Sequence, residues 1–203
     1  MNTLLARLYR AGRFGLLAIL LGVTLSACGL NNIPSQEEAA KAKWSQVLNQ
    51  YQRRADLIPN LVETVKGYAK QEAQVLEAVV AARARATSVQ VPPDILTNPE
   101  AFKKFQEAQS QLSGSLGRLL AISENYPDLK SNQNFLALQS QLEGTENRIS
   151  VARRDYIEAV QAYNTELKTF PGVIWASTLY KGNKPMETFT IAEETKRPPQ
   201  VKF

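Results

Sequence analysis

Leu25-Ser26-Ala27-Cys28 sets the only cysteine of the chain, its one thiol, at the end of a short apolar run. A lone cysteine leaves no disulfide and no paired-cysteine metal site. The chain has no histidine, so imidazole ligation, a Ser-His-Asp triad and a histidine general base are all excluded. The side chains left for chemistry are carboxylates and guanidinium groups. Glu143 or Glu146 could serve a hydrolase as one of two paired carboxylates. Packed helical rods, however, give no evident pocket that would bring either one to a second acid. A carboxylate-bridged metal pair would want Glu-x-x-His ligands, and no Gly-rich phosphate loop is present. The sequence therefore predicts no catalytic residues, no metal and no cofactor.

Ahead of Cys28 stand Arg7, Arg10 and Arg13 without an acid, then an apolar stretch from Phe14 to Leu25. A positive region, a hydrophobic region and small residues at the cut make a secretory signal, here 1–27 with cleavage between Ala27 and Cys28. The last four residues resemble the bacterial lipobox, which implies a diacylglyceryl group on the Cys28 thiol. The apolar run falls short of the ~20 residues a spanning helix needs. Losing the leader lowers the formal charge from +5 to +2, because three arginines go with it. No basic stripe with interleaved aromatics remains, so nucleic acid is not an expected partner. Gly29 occupies the position where Asp would hold a lipoprotein at the inner membrane of a Gram-negative cell. The outer membrane is therefore the expected placement there, facing the periplasm or exterior.

About 176 residues follow the cut, enough for one domain with a real core. Asn31 to Ser35 reads as part of a polar tether (28–35), and Ser35-Gln36-Glu37-Glu38 fits a capping box that starts a first long helix. From Trp44 through Leu48, Tyr51, Ala55, Ile58, Val62, Val65, Ala69 and Leu76 to Val79, apolar residues step by threes and fours, the stripe of an amphipathic helix. Glu72 and Arg83 interrupt it, and Pro59 inside it predicts a kink. A loop over Ser88 to Asn98 carries Pro92-Pro93, with Val89, Val91, Ile95 and Leu96 available to cover the bundle end or meet a partner. Asn98-Pro99-Glu100 then starts a second helix with Phe102, Phe105, Leu112, Leu116 and Leu119 inward. Gly114 and Gly117 within it predict close approach of a neighbouring helix. After the turn at Tyr126-Pro127-Asp128 a third helix runs from Ser131 to about Lys168, its seam including Phe135, Leu142, Thr145, Ile149 and Tyr156. A short helix over Val173 to Tyr180 closes the series. The expected fold is all-α: an elongated antiparallel bundle of three long helices plus a short C-terminal helix, spanning 36–182, with an extended tail over 183–203.

Arg53-Arg54-Ala55-Asp56-Leu57-Ile58-Pro59-Asn60-Leu61-Val62, Tyr126-Pro127-Asp128-Leu129, Leu142 to Ile149, and Tyr163-Asn164 ahead of Phe170-Pro171-Gly172 follow one another through the chain. In order and spacing these blocks resemble the LemA family of bacterial envelope proteins over nearly all of the mature chain. The resemblance implies an antenna-like helical bundle outside the cytoplasmic membrane, held at its N-terminus, with no assigned enzymatic activity. Many members keep an uncleaved anchor helix, from which the lipobox here departs.

Physically, Arg54, Asp56, Glu146 and Arg148 can form a polar layer where the first and third helices pass, since a buried charge must be paired. That layer fixes register or, alternatively, binds a partner. Lys196-Arg197-Pro198-Pro199 is stiff, and the chain ends on Val201-Lys202-Phe203 with its free carboxylate, which suits a PDZ-type partner or docking back on the bundle. The leading functional expectation is a non-catalytic, membrane-anchored envelope lipoprotein acting as an adaptor toward other envelope proteins. The alternative is a spacer that sets a distance within the envelope.

Overall fold

The computed structural model describes residues 29–190, and every regular element among them is helical. In chain order these are α1 (Asn32–Tyr68), α2 (Ala73–Ser88), α3 (Pro99–Ser123), the one-turn α4 (Pro127–Lys130), α5 (Gln133–Glu166) and the short α6 (Gly172–Thr178). Two 3-10 turns, Lys70–Glu72 and Ile95–Thr97, lie between them. The all-α bundle expected from periodicity is what the chain builds. The expected first long helix, however, is a hairpin: the chain reverses between Tyr68 and Ala73, and α2 runs back along α1. Leu76, Val79, Ala82 and Ala86 continue the apolar spacing but face the bundle from a second helix.

The 37 residues of α1 rise about 55 Å, and α5 lies antiparallel to it over the whole length. Hydrogen bonds mark the register: Asn32 Nδ2 to Glu166 Oε1 at 3.3 Å, Lys43 Nζ to Asp155 Oδ2 at 3.1 Å and Asn132 Nδ2 to Tyr68 Oη at 2.8 Å. α1 begins four residues earlier than the capping box predicts, and its start has no side-chain cap. Ile33 is the reason, because it is fully buried at the bundle end and draws the expected tether into the helix. α1 also runs unbroken through Pro59. The carbonyl of Ala55, which loses its amide partner there, accepts instead from Arg83 Nε at 2.8 Å.

α3 starts where its sequence signal puts it, whereas α5 starts at Gln133, two residues after the expected Ser131, with Asn132 as its cap. Asn98 Oδ1 accepts from the Ala101 amide and Asn132 Oδ1 from the Phe135 amide, each satisfying a free donor of a first turn. The expected close packing at Gly114 and Gly117 is absent, since a Cβ added at either would meet nothing within 4 Å. Gly172 is the glycine that a close approach requires: a Cβ there would overlap the carbonyl oxygen of Glu166 as the chain turns into α6.

The core falls into two parts. An aromatic half surrounds Trp44, whose ring centroid lies 5.6 Å from that of Phe102, 5.2 Å from Phe105, 5.3 Å from Tyr156 and 5.9 Å from Phe189. An aliphatic half, nearer the Tyr68 end, gathers Ile58, Leu61, Leu112, Leu119, Leu129 and Leu142. Ile95 and Leu96 cover the aromatic half, so the loop's inner apolar pair is core. Phe189 and Met186 show that the packed unit extends beyond residue 182. Residues 183–190 lie along α5, where Asn164 holds the Met186 backbone through both its amide and its carbonyl at 2.9 Å.

Candidate functional site

Arg54 sits between the two halves of the core, on the inner face of α1, one turn from Tyr51 and Ile58. It is 1% exposed, so its charge has lost nearly all its water and must find protein partners. α3 and α5 supply them. Nη1 donates to Ser113 Oγ at 2.7 Å and to Glu146 Oε1 at 2.8 Å, and Nη2 donates to Gln109 Oε1 at 2.6 Å. The Tyr51 ring centroid lies 5.1 Å from the guanidinium carbon, a cation–π distance. Arg54 Nε has no partner. Gln109 passes the network on by donating to the Ala86 carbonyl at 3.4 Å, so one guanidinium ties α1, α2, α3 and α5 at a single level.

Of the four residues the sequence groups into a polar layer, the fold joins only Arg54 and Glu146. Asp56 is exposed and accepts from Gln52 on its own helix at 2.7 Å. Arg148 is exposed too, donating to Thr145 Oγ1 at 3.0 Å and to Gln50 at 3.3 Å. Gln109 and Ser113 take their places. The available signal is their phase: both fall on the face of α3 that carries Phe105, Leu112 and Leu116, where a polar residue needs a partner.

Glu146 is 45% exposed and opens onto a groove of about 530 Å³ between α3 and α5, lined also by Gly117, Leu120 and Glu143. Glu143 and Glu146, three residues apart on α5, both line this groove, which the sequence did not anticipate. Glu146 already has its counter-ion in Arg54, and Glu143 accepts from Gln139 at 3.0 Å. Among the described residues, no three potential metal ligands cluster.

At the end of the bundle where α1 starts, Gly29 has φ 119°, a conformation a side chain would strain. Its position would put a Cβ 3.3 Å from Pro171 Cγ and 3.9 Å from Trp175 Nε1. Tyr180 Oη donates to the Leu30 carbonyl at 3.1 Å, closing α6 against the chain entrance. Ala27, Cys28, Val201 and Phe203 lie outside the described residues. No helix among those described is long and apolar enough to cross a membrane.

The model of the LemA family matches residues 43–203. Magnetosome protein MamQ 2 of Paramagnetospirillum magneticum is 26% identical over 157 residues, covering 70% of this chain and 58% of that protein. Magnetosome protein MamQ of Magnetospirillum gryphiswaldense is 25% identical over 171 residues, 76% of this chain and 63% of the relative. Protein LemA of Metamycoplasma hominis is 27% identical over 118 residues, 58% of this chain and 49% of that protein. The chain thus spans about three-fifths or less of the length of the curated relatives it matches.

Proposed function

The chain belongs to the LemA family, and we propose that it is a non-catalytic module, held to a membrane of the bacterial envelope by a lipid on Cys28, that presents its helical bundle to other envelope proteins. One observation carries this reading. Residue 29, next to the cysteine, lies at one extreme of the bundle against Pro171, and α1 then leads away for about 55 Å before turning at Tyr68. A chain held at that end projects its helix faces and its Tyr68 end outward. The Arg54 layer acts as a register lock, because the bonded atoms of Arg54 point inward to α3 and α5 rather than to a ligand.

Placement at an outer membrane rests on Gly29 standing where Asp would retain the protein at the inner one, though the backbone at residue 29 itself favours glycine. A spacer role draws support from the same length, and shortening α1 and α5 by matched heptads would then change phenotype in proportion.

The test is in-cell crosslinking and pull-down of the native protein beside Cys28→Ser, with mass spectrometry of the Cys28 peptide. The reading expects a diacylglyceryl-modified Cys28 and envelope proteins captured in lower yield from Cys28→Ser. An unmodified cysteine overturns the anchor. Equal capture from the unanchored form removes membrane placement from the mechanism.

A further inference from the structure

α6 and the turns around it present an apolar surface that no other described residue covers. Phe170 is 80% exposed and Leu179 62%, with Val173 and Ile174 exposed between them. A folded chain that needed these residues only for α6 would bury them. Instead Trp175 and Tyr180 turn toward the bundle and the large aliphatic groups turn out. The surface is continuous with the chain entrance, since Gly29, the residue that follows Cys28 in sequence, sits against Pro171 and Trp175.

Charge points the same way. From Leu167 to Met186 there is no acid, while Lys168, Lys181 and Lys184 are all exposed. Of the acids on the adjoining helix ends, Glu37 and Glu38 share Lys41 at 2.7 and 2.9 Å, while Glu166 accepts from the Asn32 amide and keeps its charge. Exposed aromatic and aliphatic side chains flanked by lysines form the surface that settles into the headgroup boundary of a bilayer carrying acidic lipid. A protein partner would want satisfied hydrogen-bonding groups as well, and Phe170, Val173, Ile174 and Leu179 offer none.

We infer that this base, Phe170, Val173, Ile174 and Leu179 together with the exposed Lys168, Lys181 and Lys184 of the same segment, is a second membrane contact that seats on the acidic phospholipid surface beside the Cys28 lipid. It rests on the anchoring proposed above and adds to it. One lipid attachment leaves a rod free to tilt, whereas a second contact beside it fixes the rod's angle to the membrane. Gly172 makes the presentation possible, because only a residue without Cβ clears Glu166 at the turn that exposes Phe170.

The test uses the full mature lipidated protein reconstituted into vesicles of phosphatidylglycerol and phosphatidylcholine. Ile174→Cys carries a nitroxide, and Leu136→Cys near the opposite end serves as reference, being likewise exposed. Accessibility to dissolved oxygen against a water-soluble nickel chelate reads depth. The Ile174 label should favour oxygen at least several-fold more than the Leu136 label. Phe170→Ser with Leu179→Ser, or vesicles without phosphatidylglycerol, should return it to the water-exposed value. If both labels are equally open to nickel while mass spectrometry finds the Cys28 lipid, the membrane contact is wrong and the anchor stands. If the Ile174 label is buried from both reagents, a second protein copy covers the base and the inference is overturned. A label that stays at headgroup depth on a chain with unmodified Cys28 keeps the contact and removes the anchor.

Discussion

Arg83 Nε donates at 2.8 Å to the carbonyl of Ala55, the oxygen that Pro59 deprives of its helical partner. Ala55 is 3% exposed, so water cannot replace the missing amide. The bond repairs α1 and fastens α2 to it at once. An unsatisfied buried carbonyl costs about 1–3 kcal/mol, so Arg83→Met, which keeps the aliphatic stem, should destabilise the protein by that order. In a Pro59→Ala background the amide returns and Ala55 no longer needs Arg83. Chemical denaturation of the four-member cycle should then show a coupling of about 1 kcal/mol, and additive effects would rule the repair out.

Gly114 and Gly117 lie in the interior of α3 with open space where a side chain would go. Helical glycine costs roughly 0.5–1 kcal/mol relative to alanine, through backbone entropy. Gly114→Ala and Gly117→Ala should each raise the melting temperature, and the double variant should do so additively. A fall would mean that α3 bends or approaches a partner at this level.

Local signals were legible and the tertiary ones were not. Asn98 announces its helix because an N-cap is chemistry between residues three apart, and Asn132 caps α5 by the same bond. The reversal at Tyr68–Ala73 carries no proline and no glycine between those residues, and its apolar spacing continues in phase. What turns the chain is the pairing of α2 with α1, visible in sequence as Gly67 near the end of α1 and as Glu72 and Arg83 breaking the stripe; Glu72 accepts from Tyr126 at the turn, and Arg83 reaches Ala55. The polar layer was half legible for the same reason. Arg54 and Glu146 belong to charged blocks, while Gln109 and Ser113 read as flaws in an apolar face until the guanidinium beside them is known.

The core tyrosines make stability sensitive to alkali. Burial pushes the hydroxyl pKa of Tyr51, Tyr156 and Tyr163 above the ordinary value of about 10. The unfolded chain gives up these protons first, so folding binds protons above pH 10 and stability falls there with rising pH. Below about pH 10 the contribution is complete. Melting temperature should therefore hold to that pH and drop beyond it. Tyr156→Phe should flatten the drop while costing about 1 kcal/mol at neutral pH for the lost bond to the Glu187 carbonyl at 2.8 Å. A residual slope is expected from Lys41, raised by its hydrogen bonds to Glu37 and Glu38, which acts with the same sign. An unchanged slope in Tyr156→Phe would remove this tyrosine from the account.

The two ends of the Arg54–Glu146 pair differ in burial, 1% against 45%, and that difference sets which substitution hurts. Removing Arg54 leaves a carboxylate that solvent can reach and hydrate. Removing Glu146 or Gln109 leaves a cation that is dry and short of acceptors, the costlier fault. Glu146→Ala and Gln109→Ala should each lose about 2–3 kcal/mol, below the cost for a fully buried pair because Glu146 is half in water. Arg54→Met should cost less, about 1–2 kcal/mol, mostly for the buried Gln109 Oε1 left without its donor, since an apolar side chain otherwise suits a site between two apolar clusters. Combining Arg54→Met with Glu146→Ala should recover most of the loss of the second alone. Asp56→Ala and Arg148→Ala, at exposed positions outside the layer, should stay within about 0.5 kcal/mol. Urea unfolding gives the order, and near-ultraviolet circular dichroism tests what the charge is for. If Arg54 locks register, Arg54→Met keeps most of its stability but loses the sharp aromatic signal of Tyr51 and Trp44. If that signal persists, register is held by the apolar packing of α1 against α5 alone.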